Sequence, residues 1–230
     1  MPKVTFCGHS CVLFESAAGN AIFDPFLTGN PSASHTPKEI PKLSAILLSH
    51  GHGDHVGDAV ELSKRDGAPV IATYELASYC ESQGAEAVGM NTGGSYDLGW
   101  ARVKLVQAFH SSSYQTAEGF IYTGMPNGIL VTVEGKTVYH LGDTALFSDL
   151  GLIARRNGPI AVAFIPIGDH YTMGIEDAVE AWNLIRPSAA VPVHYNTFPP
   201  IRQDPDRFAA KVGALGGAVR VLAPGESMEF

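Results

Sequence analysis

The sequence predicts a layered α/β (α+β) sandwich in one domain spanning residues 1–230. Three observations carry that expectation. Short apolar runs of strand length alternate with stretches of helical period. Hairpin signals occur beside strand–helix alternation, which gives mixed sheets covered by helices. No linker, repeat or shift in composition divides the chain, and its 45% apolar content suffices for a single core.

Val4 to Phe14 reads as one strand, with Asn20 to Phe26 as its partner across a Gly19-Asn20 turn. Gly29, Pro31, Pro37 and Pro41 leave residues 27–41 without a clear period, so they form a loop. Leu43 to Ser49 is a buried-strand pattern, Asp58 to Arg65 has helical spacing ending at Gly67, and a strand (Val70 to Thr73) and a helix (Glu75 to Gln83) follow. Ala101 to Phe109 is a strand, and residues 111–127, rich in Ser and Gly, are irregular. Ile129 to Val133 and Thr137 to Leu141 pair over Glu134-Gly135-Lys136. A helix near Phe147 to Arg156 leads to the apolar run Ile160 to Ile167. Ile175 to Ile185 is the clearest helix: Glu176 and Asp177 suit the positive end of its dipole and Pro187 stops it. Ala189 to Val193 is a strand, Asp204-Pro205 opens a helix running to about Leu215, and Val219 to Leu222 closes the chain as a strand.

A net charge of −8 with only 15 Lys and Arg argues against a general nucleic-acid or anionic-membrane surface. No apolar run reaches membrane-spanning length, and Met1-Pro2-Lys3-Val4 enters a strand pattern without a signal core. Cys7, Cys11 and Cys80 form an odd set without metal-finger spacing, as expected for reduced thiols in a cytoplasmic protein. Cys7 and Cys11 flank His9 on one strand face and pack as small apolar residues. A small-molecule substrate is the expected partner, and a homo-oligomer is compatible with the composition.

The richest chemistry lies in His50-Gly51-His52-Gly53-Asp54-His55, directly after the Leu43–Ser49 strand. Imidazole and carboxylate are the usual ligands of catalytic zinc and related metals. Gly51 and Gly53 lack Cβ atoms, which lets the backbone fold tightly enough for all four side chains to converge. Three more ligand-type residues follow strands: His110, Asp143 and His194. Strand ends are where α/β folds build their sites.

With these residues in place, the chain resembles the metallo-β-lactamase superfamily, whose signature is H-x-H-x-D-H followed by distant His, Asp and His. Within it the chain looks most like metal-dependent hydrolases related to ascorbate-phosphate lactonase. The matching stretches are Gly8-His9-Ser10, Asp24–Leu27, Ser49–His55, Met90-Asn91, His110–Ser113, Gly142–Thr144, Gly168–Gly174 and His194–Pro199. The resemblance implies a four-layer αββα sandwich and two divalent metal ions, zinc or manganese. His50, His52 and His110 would hold the first, Asp54, His55 and His194 the second, and Asp143 would bridge them. It further implies a metal-dependent hydrolase that uses a metal-bound hydroxide on an ester, lactone or phosphoester. Asp143 stands where well-known di-zinc β-lactamases carry Cys, which lowers the antibiotic-hydrolysis reading. The rival functions are an iron-dependent sulfur or thiol oxygenase on the same scaffold, and a nuclease.

Around this set, Asp24 is expected to brace the metal loop, because ligating histidines need a partner on their second nitrogen. His9 is its companion in that outer layer. Asp54 would also orient or relay a proton, and His170 would contact substrate or deliver one. Ser111, Ser112 and Asn196 adjoin ligands and are the expected substrate contacts. His140 alternates to the face opposite Asp143 and is expected to be structural. Residues 27–41 and 111–127 would wall the pocket.

Overall fold

A computed structural model describes all residues from Met1 to Phe230. Fifteen strands and six α-helices, numbered in chain order, build two large sheets packed face to face. The first sheet contains β1 (Lys3–Gly8), β2 (Cys11–Glu15), β3 (Asn20–Phe23), β4 (Ala45–Leu47), β5 (Val70–Thr73), β6 (Ala87–Met90) and, at its edge beside β1, β15 (Ser227–Glu229). Its order is β15-β1-β2-β3-β4-β5-β6, antiparallel up to β3 and parallel from β3 onward. The second sheet contains β7 (Ser95–Asp97), β8 (Arg102–Gln107), β11 (Asn127–Val133), β12 (Lys136–His140), β13 (Ile160–Pro166) and β14 (Ala189–Val193). Here β12, β13 and β14 run parallel, and the remaining pairings are antiparallel.

Strand alternation decides what each face buries. Phe6, Phe14, Phe23, Leu47 and Ile71 from the first sheet meet Leu105, Val131, Val138, Phe164 and Val191 from the second in a continuous inner core. The next residues along point outward and are covered by helices. Leu13, Ile22, Ile46 and Val70 pack under α2 (Ala59–Asp66) and α3 (Tyr74–Ser82) through Leu62, Leu76 and Cys80. Leu130, Tyr139, Ala163 and Ile165 pack under α4 (Leu150–Asn157), α5 (Ile175–Ile185) and α6 (Pro205–Ala214). The result is the four-layer αββα order. Emptying one inner position such as Phe164, which is fully buried, costs about 3–5 kcal/mol.

Helix ends follow the chemistry of their residues. α5 buries Ile175, Ala178, Ala181, Trp182 and Ile185 on one stripe, and Arg186 closes it with φ 51°, just before Pro187. Asp204 caps α6 by accepting the amide of Asp206, with Pro205 at the first helical position.

Three expectations need correction. The Val4–Phe14 stretch is two strands, because Gly8 (φ 109°) and His9 (φ 59°) turn the chain between β1 and β2. His9 therefore sits in the turn, off the strand face that carries Cys7 and Cys11. Residues 111–127 are not irregular throughout: β9 (Ser113–Thr116) and β10 (Gly119–Tyr122) form a separate two-stranded arm, with Phe120 and Tyr122 exposed. The Val219–Leu222 segment makes only one bridge, Ala190 to Val219, and β15 closes the first sheet in its place. No helix is long and apolar enough to cross a membrane.

Candidate metal centre

Strand direction places the chemistry on one rim. β1, β3 and β4 of the first sheet end at His9, Asp24 and the His50–His55 loop, whereas β8, β12 and β14 of the second end at His110, Asp143 and His194. Ligands outside the carboxyl ends of strands are the rule for such sheets. Cross-seam bonds fix the two rims together: the amide of His194 donates to the carbonyl of His9 (2.7 Å), and that of Asn127 to Ser49 (2.9 Å).

The seven residues meet there. His52 Nδ1 lies 2.9 Å from His50 Nε2 and 3.3 Å from His110 Nε2. Asp143 Oδ2 occupies the centre, 3.0 Å from His194 Nε2, 3.4 Å from His55 Nε2, 3.6 Å from His110 Nε2 and 4.0 Å from His50 Nε2. Asp54 lies on the first turn of α1 (Gly53–Val56), where its Oδ2 accepts from His9 Nε2 at 3.2 Å. Two ligand-type groups result: His50, His52 and His110 in one, and Asp54, His55 and His194 with His9 in the other. The donor atoms within each group all lie within 4.8 Å of one another.

The surrounding hydrogen bonds set which nitrogens face inward. Asp24 is fully buried and accepts three donors: the Ser49 amide (2.8 Å), Ser49 Oγ (2.6 Å) and His55 Nδ1 (2.8 Å). Because Ser49 gives its hydroxyl proton to Asp24, its Oγ can only accept from His50 Nδ1, 3.0 Å away. Both His50 and His55 thus carry a proton on Nδ1 and turn Nε2 toward Asp143. A partner on the second nitrogen is what a metal-ligating histidine requires.

Three tests of fit agree. His55 Nε2 and Asp143 Oδ1 are buried without a hydrogen-bond partner, a costly state for polar atoms unless a cation takes them. Ring nitrogens of His50, His52 and His110 gather within 4.8 Å of one another. The donor set is five imidazoles and two carboxylates with no thiolate, which suits zinc or manganese.

Charge follows the same geometry. Burial, reinforced by His55, pushes His50 well below the ordinary imidazole pKa, so it is neutral and ready to ligate. Burial opposes charge on His55 too, but Asp143 and Asp24 outweigh it and push its pKa well above that value. Burial would raise Asp143, yet His194 and His55 hold it well below the usual carboxylate range.

Glycine is required at Gly51 but not at Gly53. A Cβ on Gly51 would lie 2.0 Å from Thr123 Oγ1, whereas one on Gly53 meets nothing within 4 Å. Ser112 anchors the same point: its Oγ accepts from the Gly51 amide (3.1 Å) and pairs with Thr123 Oγ1 (2.8 Å). Ser112, expected at the substrate, is a buried brace of the metal loop. Asn196 is likewise engaged in its own turn, with φ 60° and Oδ1 accepting from the Gln203 amide at 2.9 Å.

The site opens into a cavity of about 450 Å³ lined by His52, Asp54, His110, Asp143 and His194, with Ser111, Tyr171 and Phe198. Ser111 Oγ lies 3.3 Å from His52 Nε2. His170 is exposed and packs edge-on against Tyr171 (4.5 Å between rings), so Tyr171 and not His170 forms the wall. Of the segments expected to wall the pocket, 111–127 supplies Ser111 and 27–41 supplies none. Ser32 borders a neighbouring cavity of about 380 Å³ that His9 also lines. A larger cavity of about 720 Å³ lies at the opposite end of the sandwich, between Lys136, Arg220 and Phe230, and none of the seven candidate ligands lines it.

His140 is structural, though not by facing away. Gly142 (φ 63°) breaks the alternation, and the ring lies in the inner core, stacked on Phe23. Its Nε2 donates to the Ser10 carbonyl (2.9 Å) and its Nδ1 accepts from the Gly142 amide (3.1 Å). Sequence reasoning did not single out Ser49, Thr123, Thr197 or Phe198. Thr197 Oγ1 meets His9 Nδ1 at 2.9 Å, completing a His9–Asp54 support.

The sequence model described as "Beta-lactamase superfamily domain" matches residues 19–195. A UPF0173 metal-dependent hydrolase of Geobacillus thermodenitrificans is 51% identical over 229 residues, covering 99% of this chain and 100% of the relative. One from Bacillus thuringiensis is 52% identical over 228 residues, covering 98% and 99%. Among solved structures, Igni18, a metallo hydrolase from Ignicoccus hospitalis, superposes with a TM-score of 0.90 at 38% identity, covering 100% of this chain and 99% of that one.

Proposed function

The chain belongs to the β-lactamase superfamily, among its metal-dependent hydrolases, and on that premise we propose a binuclear site that opens an ester, lactone or phosphoester bond of a small molecule. The observation that carries this is the central place of Asp143, whose Oδ2 lies within 4.0 Å of a ring nitrogen from both ligand groups. His50, His52 and His110 would hold one zinc or manganese ion and Asp54, His55 and His194 the other, with Asp143 placed to serve both. Two such ions lower the pKa of a water and stabilise the oxyanion that forms on the substrate.

The protein's own groups do the rest. Asp24 and Ser49 keep the Nε2 atoms of His50 and His55 turned inward. Burial works against the charge of Asp54, but the hydrogen bond from His9 and the nearby His55 hold its carboxyl far below the usual range. Its Oδ2 is bonded to His9, so Oδ1 is the atom left to orient the attacking water. Burial pushes His9 down to about 4 against the pull of Asp54, so it is a neutral donor to that carboxylate. Ser111 contacts substrate from the floor, and His170 meets its outer part from the rim beside Tyr171. The three cysteines are buried and free, which suits a reducing, cytoplasmic location.

Elemental analysis of protein purified without added metal should approach two ions per chain, coupled to a screen of lactones, phosphodiesters and thioesters. Saturation at one ion with His194 unliganded in a crystal would refute the binuclear arrangement.

A further inference from the structure

We infer that the substrate carries no phosphate or carboxylate group, and that its non-reacting arm is apolar and packs on Tyr171 and Phe198. This rests on the hydrolase function proposed above and narrows it to an uncharged ester or lactone. The cavity of about 450 Å³ is of small-molecule size. Beyond the ligand set, its lining is two aromatic rings and one serine hydroxyl, and none of the 15 Lys and Arg contributes.

Anionic groups held away from a metal are normally clamped by Arg or Lys. Here the cations have other places. Arg207 and Lys211 pair with Glu176, Arg65 with Asp66, and Lys136 with the carbonyl of Phe230. Arg102, Lys104 and Arg156 line a separate pocket that contains no metal ligand. The charge of two divalent ions would be partly met by Asp54 and Asp143, and the chain as a whole is at −8. A phosphate on the arm would meet no Lys or Arg, only the Ser111 and Tyr171 hydroxyls and the rim His170, which is no clamp for a dianion.

The aromatic wall is complementary to the opposite chemistry. Phe198 is packed in place by His9 (5.6 Å) and Phe26 (6.4 Å). Tyr171 is 56% exposed at the mouth, which leaves a ring face for an apolar arm. The reaction balances as hydrolysis: water oxygen bonds to the carbonyl carbon, the carbon–alkoxide bond breaks, and a water proton passes to the alkoxide, giving acid and alcohol.

The test compares benzyl acetate with its ring-phosphorylated counterpart on the metal-loaded enzyme, both followed by acetate release, so that the same ester bond is read in each. We expect kcat/KM to favour the neutral ester roughly 10-fold or more, and Tyr171→Ala and Phe198→Ala each to raise KM for benzyl acetate with metal content unchanged. Equal or better use of the phosphorylated ester, or no effect of either variant, would overturn the inference. A readout independent of turnover is saturation-transfer NMR with benzyl alcohol. Binding that weakens in Phe198→Ala supports the apolar arm site, and no binding to the wild type overturns it. If no ester is hydrolysed yet benzyl alcohol binds in this way, it is the hydrolase function that fails and not the aromatic site.

Discussion

Replacing Asp24 by Asn tests the orientation of the metal loop without emptying space. The carboxylate is fully buried and accepts the Ser49 amide at 2.8 Å, Ser49 Oγ at 2.6 Å and His55 Nδ1 at 2.8 Å. An Asn that keeps its oxygen on the Ser49 amide puts an NH2 group where Oδ2 was. That group donates where the carboxylate accepted, so His55 must move its proton to Nε2, the atom facing Asp143. The fold keeps most of its bonds, and a loss of about 1–3 kcal/mol is expected. Zinc affinity should fall by about 10–100-fold, the usual cost of a broken ligand support. Asp24→Ala removes the acceptor altogether, strands three buried donors and should cost about 3–5 kcal/mol. Urea unfolding of metal-free protein gives the first quantity, and zinc titration against a competing chelator gives the second. If Asp24→Asn bound zinc as tightly as the wild type, the tautomer argument for His55 would be wrong.

Gly51→Ala should lower the melting temperature and metal content together, because the new Cβ meets Thr123 Oγ1, while Gly53→Ala should leave both within error; equal effects would refute the packing account. Asp143→Ala should lose bound metal, whereas His140→Ala should keep it and lose stability only; elemental analysis of both separates ligand from core residue. Burial lowers the pKa of His140, and its Nδ1 already accepts from Gly142, so the folded protein resists the second proton. The unfolded chain takes that proton near pH 6.5, so this contribution is present above about 6.5 and lost as pH falls below it. Urea midpoints of metal-free protein should therefore drop between about pH 7.5 and 5.5, with a smaller drop in His140→Gln; an unchanged slope would exclude His140 as a source.

The seven candidate ligands were legible because apolar strands run toward His50, His110, Asp143 and His194, and His52, Asp54 and His55 follow close behind His50. The outer layer was less so. Asp24 could be assigned from the need for a nitrogen partner, but the role of Ser49 depends on where its single proton goes, which only distances reveal. His140 was placed on the wrong face because alternation assumes a regular strand, and Gly142 at φ 63° ends that regularity. Ser112 and Asn196 adjoin ligands in sequence yet spend their polar atoms on Gly51 and Gln203. Tyr171 escaped notice beside His170 because a turn has no fixed period to tell which of two packed neighbours lines the cavity. The β1–β2 turn and the β9–β10 arm were hidden for a related reason: Gly8 was the only turn residue in an apolar run, and Ser-rich stretches favour loops.

The metal centre draws on both sheets, and this has a consequence for how the protein is made. His50, His52, Asp54 and His55 leave the ribosome together, but His194 follows about 140 residues later, a delay of roughly 7–30 s at typical rates of synthesis. For that interval the nascent chain displays three imidazoles and a carboxylate on a short loop, with neither Asp143 nor His194 to complete the set. The early segment can capture a cation only loosely. Asp143 and His194 can join the early loop only after the second sheet has docked, so a cation that needs the full set is held by the finished molecule and not by the nascent chain.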